Sequence, residues 1–396
     1  MRFLARRFDN RDVIQLEIAA GRLASVKAVE GRHPAHATLP WVSPGWIDLQ
    51  VNGYRGQEFS SKELTPEKVA TIVRDHWAFG VTSLCPTLTT QSFECLVHGM
   101  QAIDFACRSF PDVTRSVAGI HLEGPYFDEE DGPRGAHPRE HCRRPTWDEF
   151  QHLQEAAGGR IRLLTMSPHF EEAPAFITRV SASGVIVAIG HTGANSRQIR
   201  AAVDAGARLS THLGNGAHRM LRRHPNYIWD QLAEDRLTAS LIVDGWHLPP
   251  EVVKTMVRAK TPQRCILVSD VSGLAGLPPG RHASSGGEID ILPDGRLLIA
   301  GQDQLLAGAS APIGVGIANV MAFAGVDLAT AIDMAVTHPA RLLGQTPGSL
   351  RPGDAADLVL FEMSPDVPAP QLTVTAVLSA GEVVFGSVKE SRDGAN

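Results

Sequence analysis

The sequence predicts an α/β protein: a (β/α)8, TIM-like barrel over residues 44–343, with a small β domain assembled from the two flanking segments, 1–43 and 344–396. Three observations lead there. Eight short, nearly continuous apolar runs recur between residues 45 and 270, and continuous rather than alternating apolarity suits parallel strands covered on both faces. Helix signals separate these runs, which gives β/α alternation. Both chain ends instead carry short alternating segments, VIQLEIAAGRLASVKAV (13–29) near the start and ADLVLFE and TVTAVLSAGEVVFG near the end.

The first barrel strand is read at GWIDLQV (45–51). It is followed by TPEKVATIVRDHWAFG, with Thr65 as N-cap, Pro66 at the first helical position, an apolar face of Val69, Ile72, Val73 and Trp77, and Gly80 as the stop. The next strands are GVTSLCP (80–86), SVAGIHLE (116–123), IRLLTMS (161–167) and VIVAIGH (185–191). SRQIRAAVDAG (196–206) is a second amphipathic helix, and ARLSTHL (207–213), ASLIVD (239–244) and CILVSD (265–270) complete the set.

Composition narrows the class. A chain of 396 residues, 43% hydrophobic and 20% charged, has the profile of a globular protein with ample core, and no apolar run approaches the ~20 residues of a membrane span. The opening MRFLARRFDNRD has basic residues without an apolar stretch behind them, so a cytoplasmic protein with no membrane partner is expected. Five scattered cysteines without CxxC spacing argue against a disulfide framework and against a thiolate zinc site. A net charge of −6 and the absence of a basic block argue against nucleic acid as a partner.

The strand ends carry the chemistry, because a barrel of this kind builds its site where the C-terminal ends of the strands converge. Gln50 and Asn52 end the first strand, His121 and Glu123 the third, His191 the fifth, His212 the sixth, Asp244 and then His247 the seventh, and Asp270 the eighth. Buried polar groups need partners, so polar residues after so many separate apolar runs call for a common purpose. Glu123, His191 and His212 make a set of two nitrogens and one oxygen that suits Zn²⁺ or another borderline divalent ion, with a coordination position left for water. Each of the three alone is equally well a hydrogen-bonded barrel residue. Asp270 is suited to act as a general base, its other readings being a further metal ligand or the cap of the following turn.

Taken together, PGWIDLQVNG (44–53), HLEGPYF (121–127), RGAHP (134–138), GHTGA (190–194), THLGNGAH (211–218), IVDGWH (242–247), LVSD (267–270) and LAGAS (306–310) resemble the amidohydrolase superfamily and, within it, the N-acetylglucosamine-6-phosphate deacetylases, over almost the whole chain. The resemblance implies a barrel with a small β-sandwich and hydrolysis of the acetamide of an amino sugar phosphate. It implies Glu123, His191 and His212 as metal ligands and Asp270 as acid/base. His137 would assist at the substrate, His247 would contact the sugar or its carbonyl, and Asn215 and Gly216 would lie at the sugar phosphate. Arg223 falls at the spacing of a phosphate-binding arginine that reaches in from a neighbouring subunit, so a homodimer is expected. Subunit-interface ion pair and solvated surface charge remain the other readings of Arg223.

Two departures from the family pattern bear on function. Where many amidohydrolases have HxH on the first strand, this chain has Gln50 and Asn52, so one metal ion per subunit is expected: Zn²⁺ first, with Fe²⁺, Co²⁺ and Mn²⁺ as alternatives. Where the deacetylases commonly read THLYNAM and then a REPG-like segment, this chain reads THLGNGAHRMLRRHPNYIWDQ. Deacylation of an unphosphorylated amino sugar or of an N-acyl amino acid therefore stays open, as does a barrel that binds without catalysing. His218 and His224 are expected at the surface, and Trp229 and Trp246 are read either as a sugar platform or as packing.

Overall fold

The computed structural model describes residues 1–31, 34–302, 306–364 and 370–390. Positions 365–369 and 391–396 of the expected C-terminal segment, and 32–33 of the N-terminal one, lie outside the described residues. Eight parallel strands follow one another in sequence order: β1 Trp46–Val51, β2 Val81–Thr89, β3 Ile120–Glu123, β4 Ile161–Met166, β5 Ile186–Ile189, β6 Leu209–Ser210, β7 Thr238–Ile242 and β8 Cys265–Val268. Each falls on one of the eight expected runs. The ring closes through a parallel bridge between Val51 and Val271.

Local chemistry explains the connections. Thr65 accepts the N–H of Lys68 and Pro66 opens the helix Pro66–Asp75, whose Val69, Ala70, Ile72 and Val73 are buried against the strands. A 3-10 turn carries the chain on to Gly80, where φ is +82° and a Cβ would stand 2.5 Å from the Trp46 ring, so only glycine fits. Asn195 and Gln198 form a capping box at the helix Ser196–Ala205. The barrel interior is filled by Ile47, Leu49, Leu163, Leu209, Ile242 and Ile266, while a larger apolar layer seals strands to helices.

The chain ends form one mixed sheet of seven strands in the order Glu382–Gly386, Gln371–Ser379, Leu358–Ser364, Trp41–Pro44, Arg2–Arg7, Val13–Ala19, Arg22–Ala28. Phe3, Leu16 and Leu23 from one half pack with Leu358, Leu360 and Leu378 from the other. The edge strand returns to the opposite half, Leu23 N–H donating to Asp354 O at 2.9 Å, so the sheet curls over its own core like a small sandwich. A third unit was not anticipated: an antiparallel sheet of Gly280–Ser284, Gly287–Ile291 and Leu297–Ile299, inserted after β8. Its signal was present in the alternation of GEIDI and in the PDG turn behind it.

One charge lies inside the barrel. Asp48 of β1 is 1% exposed; its Oδ1 accepts the N–H groups of Gln50 and Ser269, each at 3.2 Å, while Oδ2 has no partner among the described residues. Burial pushes its carboxyl up to about 7, with the charge of Asp270 adding to the shift and the bonds from Ser269 and Gln50 opposing it. Between the unfolded value near 4 and about 7 the folded state binds more protons, so this group's contribution is full at low pH and is lost as pH rises through 7. Asp48→Asn should therefore gain stability relative to the native protein as pH rises from 5 to 7, by up to about 1.4 kcal/mol per pH unit, and hold the gain above that. Urea unfolding of both proteins across this range checks it, and a pH-independent difference would refute it.

Candidate active site

Three acceptor atoms converge at the mouth of the barrel. Glu123 Oε1 lies 3.0 Å from His212 Nε2 and 3.3 Å from His191 Nε2, and the two ring nitrogens are 3.1 Å apart. All three side chains are buried. Glu123 ends β3, and Gly124, at φ +87°, turns the chain away behind it. His191, His212 and Asp270 stand just past β5, β6 and β8 with φ of +49°, +28° and +52°. Left-handed backbone is costly for residues with a Cβ, and it is here confined in part to the residues that must point at one another.

The protonation pattern fits a cation. His191 Nδ1 donates to Pro133 O at 2.9 Å, which leaves a lone pair on Nε2, and burial keeps this ring below its ordinary value. Burial also pulls His212 down, but its bond to Glu123 and the charges of Glu123 and Asp270 outweigh this and hold it above the ordinary value. Burial opposes ionisation of Glu123, and His191 and His212 together overcome it, holding the carboxyl well below the usual range. Two imidazole nitrogens and a carboxylate oxygen thus face one point, the donor set and spacing that a divalent ion takes, so the residues fit such an ion.

The first-strand amides explain their own presence. Gln50 Nε2 donates to Glu123 Oε1 at 2.9 Å, and Asn52 Nδ2 donates to Asp270 Oδ1 at 2.8 Å. Each holds one acid of the site in place. Asp270 is pushed up to about 6, first by burial and then by the charge of Glu123, with His212, His247 and Asn52 pulling the other way. His137 Nε2 lies 3.2 Å from His191 Nε2, and its Nδ1 accepts the N–H of Thr90 at 3.4 Å, which assigns the ring proton to Nε2, facing the cluster. His247 Nδ1 is 2.7 Å from Asp244 Oδ2, and Asp244 also accepts the N–H groups of Trp246 and His247. That triple anchor fixes the ring and leaves its Nε2 for the cavity.

Asn52, Glu123, His137, His191, His212, His247 and Asp270 line a cavity of about 450 Å³ that also takes in Asn215, Gly216, His218 and Trp246. Gly216 has φ +57°, and a Cβ there would meet the His191 ring at 2.7 Å, so its glycine is required by the site itself. Asn215 Nδ2 donates to His212 O at 3.2 Å. Arg223 is not brought to the wall: it lies in an exposed loop. His218, expected at the surface, instead lines the cavity, held by Glu130 at 3.1 Å and by the Tyr227 hydroxyl at 2.9 Å. His224 and Trp229 are exposed. The inserted sheet supplies a further wall that sequence reasoning missed. Its tip is tied down by Ser285 N–H donating to Glu58 at 2.7 Å and by Gln91 donating to Ser285 O at 2.8 Å.

Comparison with known proteins agrees with this geometry. The amidohydrolase family model matches residues 41–384. The human N-acetylglucosamine-6-phosphate deacetylase is 34% identical over 87% of this chain and 83% of its own length. The N-acetylgalactosamine-6-phosphate deacetylase of Escherichia coli O157:H7 is 30% identical over 88% of this chain and 90% of its own. The solved N-acetyl-D-glucosamine-6-phosphate deacetylase from Mycobacterium smegmatis superposes with a TM-score of 0.83 at 31% identity, covering 97% of this chain and all of that one. With the barrel, the convergent strand ends and these likenesses in agreement, the chain belongs to the amidohydrolase family and is a hydrolase of carbon–nitrogen bonds.

Proposed function

We propose that the chain is a metal-dependent deacetylase that hydrolyses the acetamide of an N-acetyl amino sugar phosphate, N-acetylglucosamine 6-phosphate first, to the free amino sugar phosphate and acetate. The observation that carries the reading is the buried meeting of Glu123, His191 and His212 with Asp270 at the same mouth, in a chain whose relatives are named as such deacetylases. The relative that acts on N-acetylgalactosamine 6-phosphate keeps that epimer as the second substrate to try.

Glu123, His191 and His212 would hold one divalent ion, Zn²⁺ first. Such an ion supplies a Lewis acid that polarises the acetyl carbonyl and makes water a nucleophile at neutral pH. Asp270 accepts a proton as the water oxygen bonds to the carbonyl carbon, then delivers it to the nitrogen as the carbon–nitrogen bond breaks. Its raised value near 6 suits a group that must both take and return a proton close to neutrality. His137, with its proton on Nε2, donates to the carbonyl oxygen as negative charge develops there, and His247, whose Nδ1 proton is given to Asp244, turns Nε2 to accept from a hydroxyl of the sugar. Asn215 and the backbone at Gly216 lie four and three residues before Arg219 on the wall and are read as contacts to the phosphate end. The reading includes a homodimer, supported by the large apolar side chains of Met220 and Trp229, which are 89% and 51% accessible.

Metal analysis of the purified protein should return one tightly held divalent ion per chain, because Gln50 and Asn52 are engaged as donors to the two acids. Two such ions would contradict the assignment. Asp270→Asn should keep that ion and lose about 10²- to 10⁴-fold in kcat; full turnover by this variant would remove Asp270 from the mechanism. Asn52→Ala takes away a bond that favours ionised Asp270, so the acid limb of kcat/KM should move to higher pH by up to about one unit. A limb that stays in place, measured from pH 5 to 9, would show that Asn52 does not set the proton affinity of Asp270.

A further inference from the structure

The lone pair that His191 offers at the mouth depends on a neighbouring loop. Pro133 O, in the loop after β3, takes the proton of His191 Nδ1 at 2.9 Å, and since a carbonyl can only accept, that bond leaves Nε2 bare toward Glu123 and His212. The carbonyl is only as well placed as the loop that carries it. Between Asp128 and Gly135 that loop is bonded mostly to itself: Glu130 N–H to Asp128, Arg134 N–H to Glu130 O, Gly135 N–H to Gly132 O, and the Arg134 side chain to Asp131 and His137 O. Besides the Pro133 bond, its polar ties to neighbouring loops among the described residues are the pair of Glu130 with His218 at 3.1 Å and the looser one of Asp128 with His169 at 3.9 Å.

His218, in the loop after β6, is itself firmly held. Its backbone N–H and its Nδ1 both meet the Tyr227 hydroxyl, at 2.8 and 2.9 Å, and Tyr227 is buried at the start of the helix Tyr227–Ala233. With the hydroxyl accepting the N–H and donating to Nδ1, the ring proton lies on Nε2 and is given to Glu130. Two glycines make room for this residue: a Cβ on Gly132 would stand 3.0 Å from His218 Cα, and one on Gly193 would stand 3.1 Å from His218 Cε1. Gly132 has φ +102°, which favours glycine in any case, whereas Gly193 has no left-handed φ, so space for the imidazole is what its missing side chain provides. We propose that His218 is a positioning residue for His191: it clasps the loop after β3 to the loop after β6, keeps Pro133 O on His191 Nδ1, and so holds His191 Nε2 toward the cation site. The inference rests on the reading that Glu123, His191 and His212 hold a divalent ion.

The test withdraws Zn²⁺ from the metal-loaded, full-length protein with a chromophoric chelator, which reads its affinity in the native chain, His218→Ala, His218→Gln, Glu130→Ala, the double alanine variant and Arg144→Ala, with circular dichroism confirming each fold. His218→Ala and Glu130→Ala should each weaken Zn²⁺ binding about tenfold, the lower end of the cost of losing an outer-shell partner, and the double variant should be no worse than either. His218→Gln, whose amide can still donate to Glu130, should recover part of the loss. Arg144→Ala, which breaks the ion pair with Glu172 farther along the same connection, should bind as the native chain does. A native protein that holds no divalent ion would overturn the metal reading and this inference together. Unchanged affinity in His218→Ala, a loss that Glu130→Ala does not share, or an equal loss in Arg144→Ala would overturn the inference alone.

Discussion

Two buried acids close to one another set the terms for the rest of this molecule. Glu123 and Asp270 stand buried at the same mouth, and the charge of Glu123 raises the cost of ionising Asp270. Like charges in a poorly polarisable setting are tolerated only where donors and cations are arranged around them. Much of the surrounding architecture serves that need. Gln50 near the end of β1 and Asn52 just past it reach one acid each, and His191 and His212 close on Glu123 from the ends of β5 and β6. A divalent ion would complete the compensation, which is why the site fits one.

Beneath this layer the interior stays polar instead of turning wholly aliphatic. His121 donates or accepts at both ring nitrogens, to Leu49 O at 3.1 Å and to Thr165 Oγ1 at 2.7 Å, and Thr165 continues to Thr211 at 2.7 Å. Burial brings His121 down to about 4, so it is a neutral strut at working pH and not a second cation. The chain of bonds links β3, β4 and β6 directly under the three ligand candidates. Fully satisfied buried networks of this kind fix side-chain positions more sharply than apolar packing does, and a ligand set needs its atoms held within a fraction of an ångström.

The parts legible in the sequence are those governed by period and by position along a strand. Continuous apolar runs marked all eight barrel strands, and the polar residues at the ends of six of them marked Glu123, His191, His212 and Asp270 as neighbours, because a barrel turns separate strand ends into one surface. Contacts between side chains of different loops follow no such rule. That His218 turns inward depends on Glu130 and Tyr227, remote from it in kind and one of them remote in sequence, and no spacing announces the pairing. The inserted sheet was missed for a different reason, since short polar-rich strands beyond the eighth barrel strand carry alternation but little apolar weight.

The division between strands and loops also divides chemistry from recognition. Everything that would handle the acetamide stands on the rigid ends of β1, β3, β5, β6 and β8 or is braced against them, as His137 is by the Thr90 N–H at 3.4 Å. Everything that would tell one sugar from another comes from the connections: the segment after His212, the Trp246–His247 turn after β7, and the tip of the inserted sheet anchored on Glu58 and Gln91. Such an arrangement lets loop sequence change while the geometry at the reacting carbon is preserved. Gly214, His218 and Arg219 line the wall from such a connection, apart from the strand ends that carry Glu123, His191, His212 and Asp270, and the identity of the sugar is to be sought there.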